Sequence, residues 1–117
     1  MPSPRVRLPR IRGTQIGLRN GSLVDRIKSD MRAGRYAFHE RRGQIGGVRD
    51  RRGIYYVVEG HHRMAAAREC YYERGDATPV LELLRWGLWT EVEKPPSDRR
   101  PLPARDCWGA FRNWVGY

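Results

Sequence analysis

A small α+β domain, with a mixed sheet and two main helices, is the fold class this sequence predicts, and three stretches carry the prediction. The run IYYVVE at residues 54–59 is β-branched and aromatic, has the length of a strand and stops at Gly60. Directly after it, HHRMAAARECYYER at residues 61–74 is rich in helix formers and is closed by Gly75. Earlier, SLVDRIKSDMR at residues 22–32 sets Leu23, Ile27 and Met31 four residues apart, on one helix face. A chain of 117 residues has room for one modest core around these elements.

Taken in order, the opening MPSPRVRLPRIRG alternates Arg5, Arg7 and Arg10 with Val6, Leu8 and Ile11. The alternation predicts a short edge strand interrupted by Pro9, or else a basic arm. After Gly13 and a turn at RNGS, Ser22 is the expected N-cap of the first helix, which ends before Gly34. In the arginine- and glycine-rich stretch AGRYAFHERRGQIGGVRDRRG, Ile45 and Val48 supply a brief strand, followed by a turn at DRRG. IYYVVE is then expected to be a central, buried strand, and Met64, Ala67 and Tyr71 form one stripe of the following helix. TPVLELL at residues 78–84 predicts another short strand. Beyond it the prolines of EKPPSDRRPLP forbid regular structure until an aromatic segment with Trp108, Phe111, Trp114 and Tyr117. Trp108, Phe111 and Val115 have the spacing of a short helix that docks on the body, where otherwise so many exposed rings would invite association. The resulting organisation is a basic strand or arm at 1–13, a domain at 14–92, and a Pro-rich linker with a docked aromatic tail at 93–117.

Lys and Arg total 23 against 13 Asp and Glu, a formal net charge of +10, and Lys28 and Lys94 are the only lysines. Arginine forks onto phosphate oxygens and stacks on rings, so nucleic acid, a nucleotide or an acidic protein is the expected partner. Cys70 and Cys107 lack paired spacing, which excludes a zinc finger or a disulfide framework and leaves two buried or incidental thiols. No apolar run reaches the roughly 20 residues of a membrane span and no export-signal pattern opens the chain, so a soluble protein is expected.

The chemistry concentrates at Gly60. A strand, a glycine and a helix start bring backbone amides and the positive end of a helix dipole to one point, which suits an anion and above all phosphate. Arg63 falls in that first turn, where a cation opposes the dipole by about 0.3–1 kcal/mol; a choice unfavourable for stability points to a function. Gly60 itself allows close approach of a ligand to the backbone. His61 and His62 project about 100° apart on a helix, so one of them faces the site. There it can serve as a general base, kept neutral by the dipole, or it packs or caps while the other is solvated. Glu59 can orient a histidine, hold Mg²⁺ against a phosphate, or sit in water at a strand end. Gln15 and Arg41 flank the same point if the first strand neighbours IYYVVE. A zinc site made of His39, His61 and His62 has no supporting spacing.

The stretch GIYYVVEGHHRMAAARE resembles the signature of the ParB/sulfiredoxin fold, in which a strand leads to a glycine and a G-x-x-R helix. The preceding strand, the TQ pair, the first helix and the turn follow the same order, so the resemblance spans residues 6–84. It implies a phosphate-binding block at Gly60, His62 and Arg63, with His61 between them. Members include partition proteins with cytidine triphosphate sites, sulfiredoxins using adenosine triphosphate, and ParB-like nucleases. No cysteine stands at the sulfiredoxin position, so that reductase activity is not expected. Nothing resembles the downstream helix-turn-helix of partition proteins, so centromere binding is not expected either. The tail RPLPARDCWGAFRNWVGY is similar to the ends of ParB-like toxin domains of large bacterial secreted proteins. The resemblance thus implies a ParB-like nuclease or nuclease-type toxin that acts on phosphodiesters, of DNA rather than RNA. Arg63 would hold a phosphate, His62 or His61 would move a proton, and Glu59 would assist. Mg²⁺ or a nucleoside triphosphate is the cofactor candidate, the bacterial cytoplasm the site of action, and an acidic immunity protein the partner. An ATP- or CTP-hydrolysing domain of the same fold and a non-catalytic DNA-binding module are the alternatives.

Overall fold

Residues 6–105 are described in a computed structural model. They form strand β1 (Ile11–Gly13), helix α1 (Gly21–Arg32), strands β2 (Gly46–Arg49) and β3 (Tyr55–Glu59), helices α2 (His61–Arg74) and α3 (Thr78–Trp86), and strand β4 (Leu88–Glu91). The sheet order is β1-β3-β2-β4. β1 runs parallel to β3, β2 antiparallel to β3, and β4 parallel to β2. The domain is therefore α+β with a small mixed sheet, and the IYYVVE strand is interior, with Tyr56 and Val57 fully buried.

Residue chemistry explains the local geometry. The β2–β3 turn is organised by Asp50, whose carboxylate accepts from the Arg52 and Ile54 amides at 2.9 and 3.1 Å and from the Tyr56 hydroxyl at 2.8 Å. Burial pushes its pKa up, but these hydrogen bonds from Tyr56, Ile54 and Arg52 outweigh burial and hold it at about 2. In α2, Met64, Ala65, Ala66, Ala67 and Cys70 are all buried, so this helix is covered nearly all round. Both α1 and α3 pack against it. No described helix is long and apolar enough to cross a membrane.

Two local expectations are corrected. The α1 cap is Asn20, whose Oδ1 accepts from the Leu23 amide at 3.1 Å, while the Ser22 hydroxyl supports the cap by donating to the same oxygen at 2.7 Å. TPVLELL, expected to be a strand, is helix α3. Asp76 accepts from the Thr78 amide at its start, Pro79 occupies the first turn, and Val80, Leu83 and Leu84 are buried at helical spacing. The last strand is instead LWTE, which the sequence reading passed over; its side chains are mostly exposed, so it carries little hydrophobic pattern.

From Glu91, paired at the β2 edge, the chain reaches Arg100, which exchanges backbone hydrogen bonds of 2.8 and 2.9 Å with Gly13 beyond the opposite edge. Residues 92–99 therefore cross the sheet as a strap. Leu102 enters the core, and Arg105 clamps both helices by donating to Glu69 (2.7 Å from Nε) and Asp25 (2.5 Å). The expected aromatic tail and Cys107 lie outside the described residues.

Candidate functional site

The junction of β3 and α2 is built on Gly60, at φ 97° and ψ 29°, a left-handed conformation that side chains disfavour. A Cβ here would lie 2.3 Å from Ile45 Cγ2, so the turn is also too tight for any other residue. No side chain caps α2 and no acid sits in its first turn. The first intrahelical bond runs from the Met64 amide to the Gly60 carbonyl at 3.0 Å, which leaves the amides of His61, His62 and Arg63 without intrahelical partners. The strand, glycine and uncapped helix start expected from the sequence are therefore present.

The side chains around that point divide between two directions. Both imidazoles turn toward the β1–α1 connection. Nε2 of His61 accepts from the Thr14 amide at 3.1 Å, and Nε2 of His62 accepts from the Asn20 amide at 3.2 Å. The Thr14 hydroxyl meanwhile donates to the Val57 carbonyl at 3.1 Å, so the loop is tied to β3 as well. His61 is only 3% exposed and packs on Gly13, where an added Cβ would meet its ring at 3.1 Å. Burial lowers the His61 pKa, the neighbouring His62 lowers it further, and a backbone bond with Val57 offsets part of this. Its ring is thus a neutral acceptor with the proton on Nδ1. Either lone pair can receive a proton from a substrate only if the loop lets go of it.

Arg63 points the other way. Its guanidinium donates to the Arg42 carbonyl at 3.0 Å, beside Tyr36, whose hydroxyl donates to the Gly43 carbonyl at 2.6 Å. Burial pushes the Tyr36 pKa up to about 12 against the opposing pull of the Arg63 charge. One more of the expected residues, Arg41, and Glu59 both line a depression of about 450 Å³ whose lining also includes Gln44, Val58 and Leu88. Glu59 forms no ion pair with any described residue. Gln15 stays on the imidazole side, with its amide folded onto the Gly17 carbonyl. β1 does neighbour β3, but the two expected flanking residues end up on opposite sides of Gly60.

Among the described residues no three His, Cys, Asp or Glu side chains gather as metal ligands, and His39 stacks edge-on against Trp86 at 6.1 Å. Glu59 is the carboxylate beside Gly60 able to share a divalent ion with a bound phosphate, the mode Mg²⁺ favours. Cys70 is buried and its thiol pKa is raised by burial, so it is chemically quiet. The sequence reading missed Thr14, Asn20 and Tyr36. A faint signal for the first existed, since TQ after the first strand drew attention to Gln15 and passed over its neighbour. Comparison with known proteins finds no matching family model, no matching curated protein and no matching solved structure.

Proposed function

We propose that this chain is a nuclease-type phosphodiesterase of the kind its resemblance to ParB-like domains implies, with the scissile or adjacent phosphate held at the start of α2. One observation carries the reading: an uncapped helix N-terminus behind a left-handed glycine, with Arg63 in its first turn and Glu59, which forms no ion pair with any described residue, immediately before the glycine in the chain. Amides of the first turn and the donors that Arg63 does not spend on Arg42 would take the phosphate oxygens. Glu59 would activate water as base, or hold Mg²⁺, which when bound would neutralise charge on the phosphate. A base contributes about 10²–10⁴-fold, so the oriented amides and the guanidinium are asked for the larger share. His62, the less buried imidazole, is the reserve proton carrier once Asn20 releases it. In a toxin setting the domain would act in the bacterial cytoplasm and be neutralised by an acidic immunity protein.

A second reading, a binding module or a nucleoside-triphosphate site without nuclease chemistry, is favoured by one fact: both imidazole lone pairs are already committed to backbone amides. The deciding experiment incubates wild type, Arg63→Ala and Glu59→Gln with plasmid DNA, RNA and each nucleoside triphosphate, with and without Mg²⁺ or Mn²⁺. The nuclease reading expects DNA cleavage that falls by about 10²–10³-fold in Arg63→Ala. Triphosphate hydrolysis without strand cleavage selects the nucleotide reading. Salt-sensitive binding without turnover selects the module.

A further inference from the structure

A second cavity lies away from Gly60. It measures about 690 Å³ and lies where the chain leading into β1 passes the second half of α2; its lining includes Arg7, Arg10, Arg12, Arg68, Tyr71 and Leu102. β1 is parallel to β3 and pairs with it from Tyr55 onward, so Arg7 and Arg10 lie toward the start of β3, whereas Gly60 closes its end. No Asp or Glu is among the described residues that line this cavity.

Several arginines elsewhere are matched with acids, Arg32 with Glu73, Arg49 with Glu91, Arg51 with Glu93, and Arg105 with Glu69 and Asp25, while others, Arg19, Arg26 and Arg74 among them, form no ion pair with a described residue. What distinguishes this cavity is that its arginines gather around one concavity. Arg7, Arg10 and Arg12 make no side-chain hydrogen bond or ion pair with any described residue. Three guanidiniums left unmatched around one concavity, with Arg68 in its wall, repel one another and raise the local potential for an anion. Their backbone is meanwhile held in place. The Tyr71 hydroxyl donates to the Val6 carbonyl at 2.8 Å, and the Tyr55 amide donates to the Arg10 carbonyl at 3.0 Å. Along such a sheet-paired chain Arg10 and Arg12 stand about 6–7 Å apart, as successive charges on a rigid rail. Tyr71 and Leu102 are buried, at 8% and 4% exposure, and belong to the wall of the cavity.

We infer that this cavity is a backbone-phosphate site for a nucleic-acid strand, separate from the anion position proposed at Gly60, in which Arg7, Arg10 and Arg12 neutralise phosphates. The identity of the polymer rests on the proposed function, and the cavity's own chemistry supplies the phosphate class. A polymer can occupy both positions; a mononucleotide takes one.

The test measures fluorescence anisotropy of a short labelled single-stranded DNA with the full chain, in chelator, across a salt series. The proteins are wild type, Arg63→Ala, the triple variant Arg7→Ala/Arg10→Ala/Arg12→Ala, and Arg10→Glu. None of the three arginines enters the core, and thermal melting verifies that each variant folds. Loss of three phosphate contacts predicts a slope of log affinity against log salt that is shallower by about 2 in the triple variant, and by less than about 1 in Arg63→Ala. Arg10→Glu should weaken binding further than removal of that one charge. Unchanged affinity and slope in the triple variant would overturn the inference. So would complete displacement of the DNA by inorganic phosphate or adenosine monophosphate at equal phosphate concentration. DNA binding that depends on the three arginines in a protein that cleaves nothing supports this site and removes the hydrolytic reading. Cleavage that persists with an unaltered salt slope removes this site alone.

Discussion

At the scale of single residues, the histidines at 61 and 62 show how a chemical motif can be absorbed by architecture. Their lone pairs accept Thr14 and Asn20 amides, and a proton on Nε2 would replace each acceptor with a donor facing a donor. Burial lowers the His61 pKa below its ordinary value of 6.5, so the unfolded chain binds the proton more readily than the folded one. The sign follows directly: the stability owed to neutral His61 is present above pH 6.5 and declines as pH falls below it toward the depressed folded value. Denaturant melts from pH 8 to 5 should show this decline, and His61→Gln, which cannot titrate, should flatten it. Asp50 acts in a lower window, where its stabilisation is lost from its ordinary 3.8 down through about 2. Gly60 makes a sharper test. Gly60→Ala combines a left-handed backbone with a contact of 2.3 Å on Ile45 and should destabilise by about 1–3 kcal/mol, measured by urea unfolding.

At the scale of elements, the reading of residues 61–74 as a helix between two glycines matches α2 end to end, because both glycines adopt positive φ and stop regular structure by geometry alone. Residues 78–84 behave differently. Pro-Val-Leu-Glu-Leu-Leu is apolar enough to satisfy either a period of 2 or one of 3.6, and burial of Val80, Leu83 and Leu84 beside α2 selects the helix. The α1 cap is a smaller case of the same ambiguity, since Asn20 and Ser22 are both good caps and only the start of the helix separates them. Asn20→Ala should cost about 1 kcal/mol in thermal or chemical melts and Ser22→Ala only a few tenths, because the serine hydroxyl merely supports the asparagine oxygen. If the two variants lost equal stability, the cap would not be where the geometry puts it.

At the scale of the whole molecule, the described residues 93–105 belong to the body. They carry the chain from the β4 edge of the sheet to the β1 edge and end in the Arg105 clamp on Glu69 and Asp25. Glu69, 3% exposed, also accepts from Lys28 at 2.9 Å, so one carboxylate joins α1, α2 and the strap. Glu69→Ala would leave two partly buried cations facing each other and should lower stability by about 2–3 kcal/mol, measured by chemical denaturation near neutral pH. The mutation touches neither Gly60 nor the arginine cavity, so any nucleic-acid binding should keep its salt slope at temperatures where the variant remains folded.

The sequence by itself determined the class of fold, the interior strand, the glycine-bounded helix and the gathering of His61, His62 and Arg63 in the first turn after Gly60, because these follow from local sterics, periodicity and charge that neighbours within a few residues settle. Tertiary structure alone decided which way His61, His62 and Arg63 point, the helical state of residues 78–84, and the depression that Glu59 and Arg41 both line. Each of these depends on a partner far along the chain, as with Thr14 and His61, 47 residues apart, and no local pattern encodes which of several compatible partners packing will bring within hydrogen-bond reach.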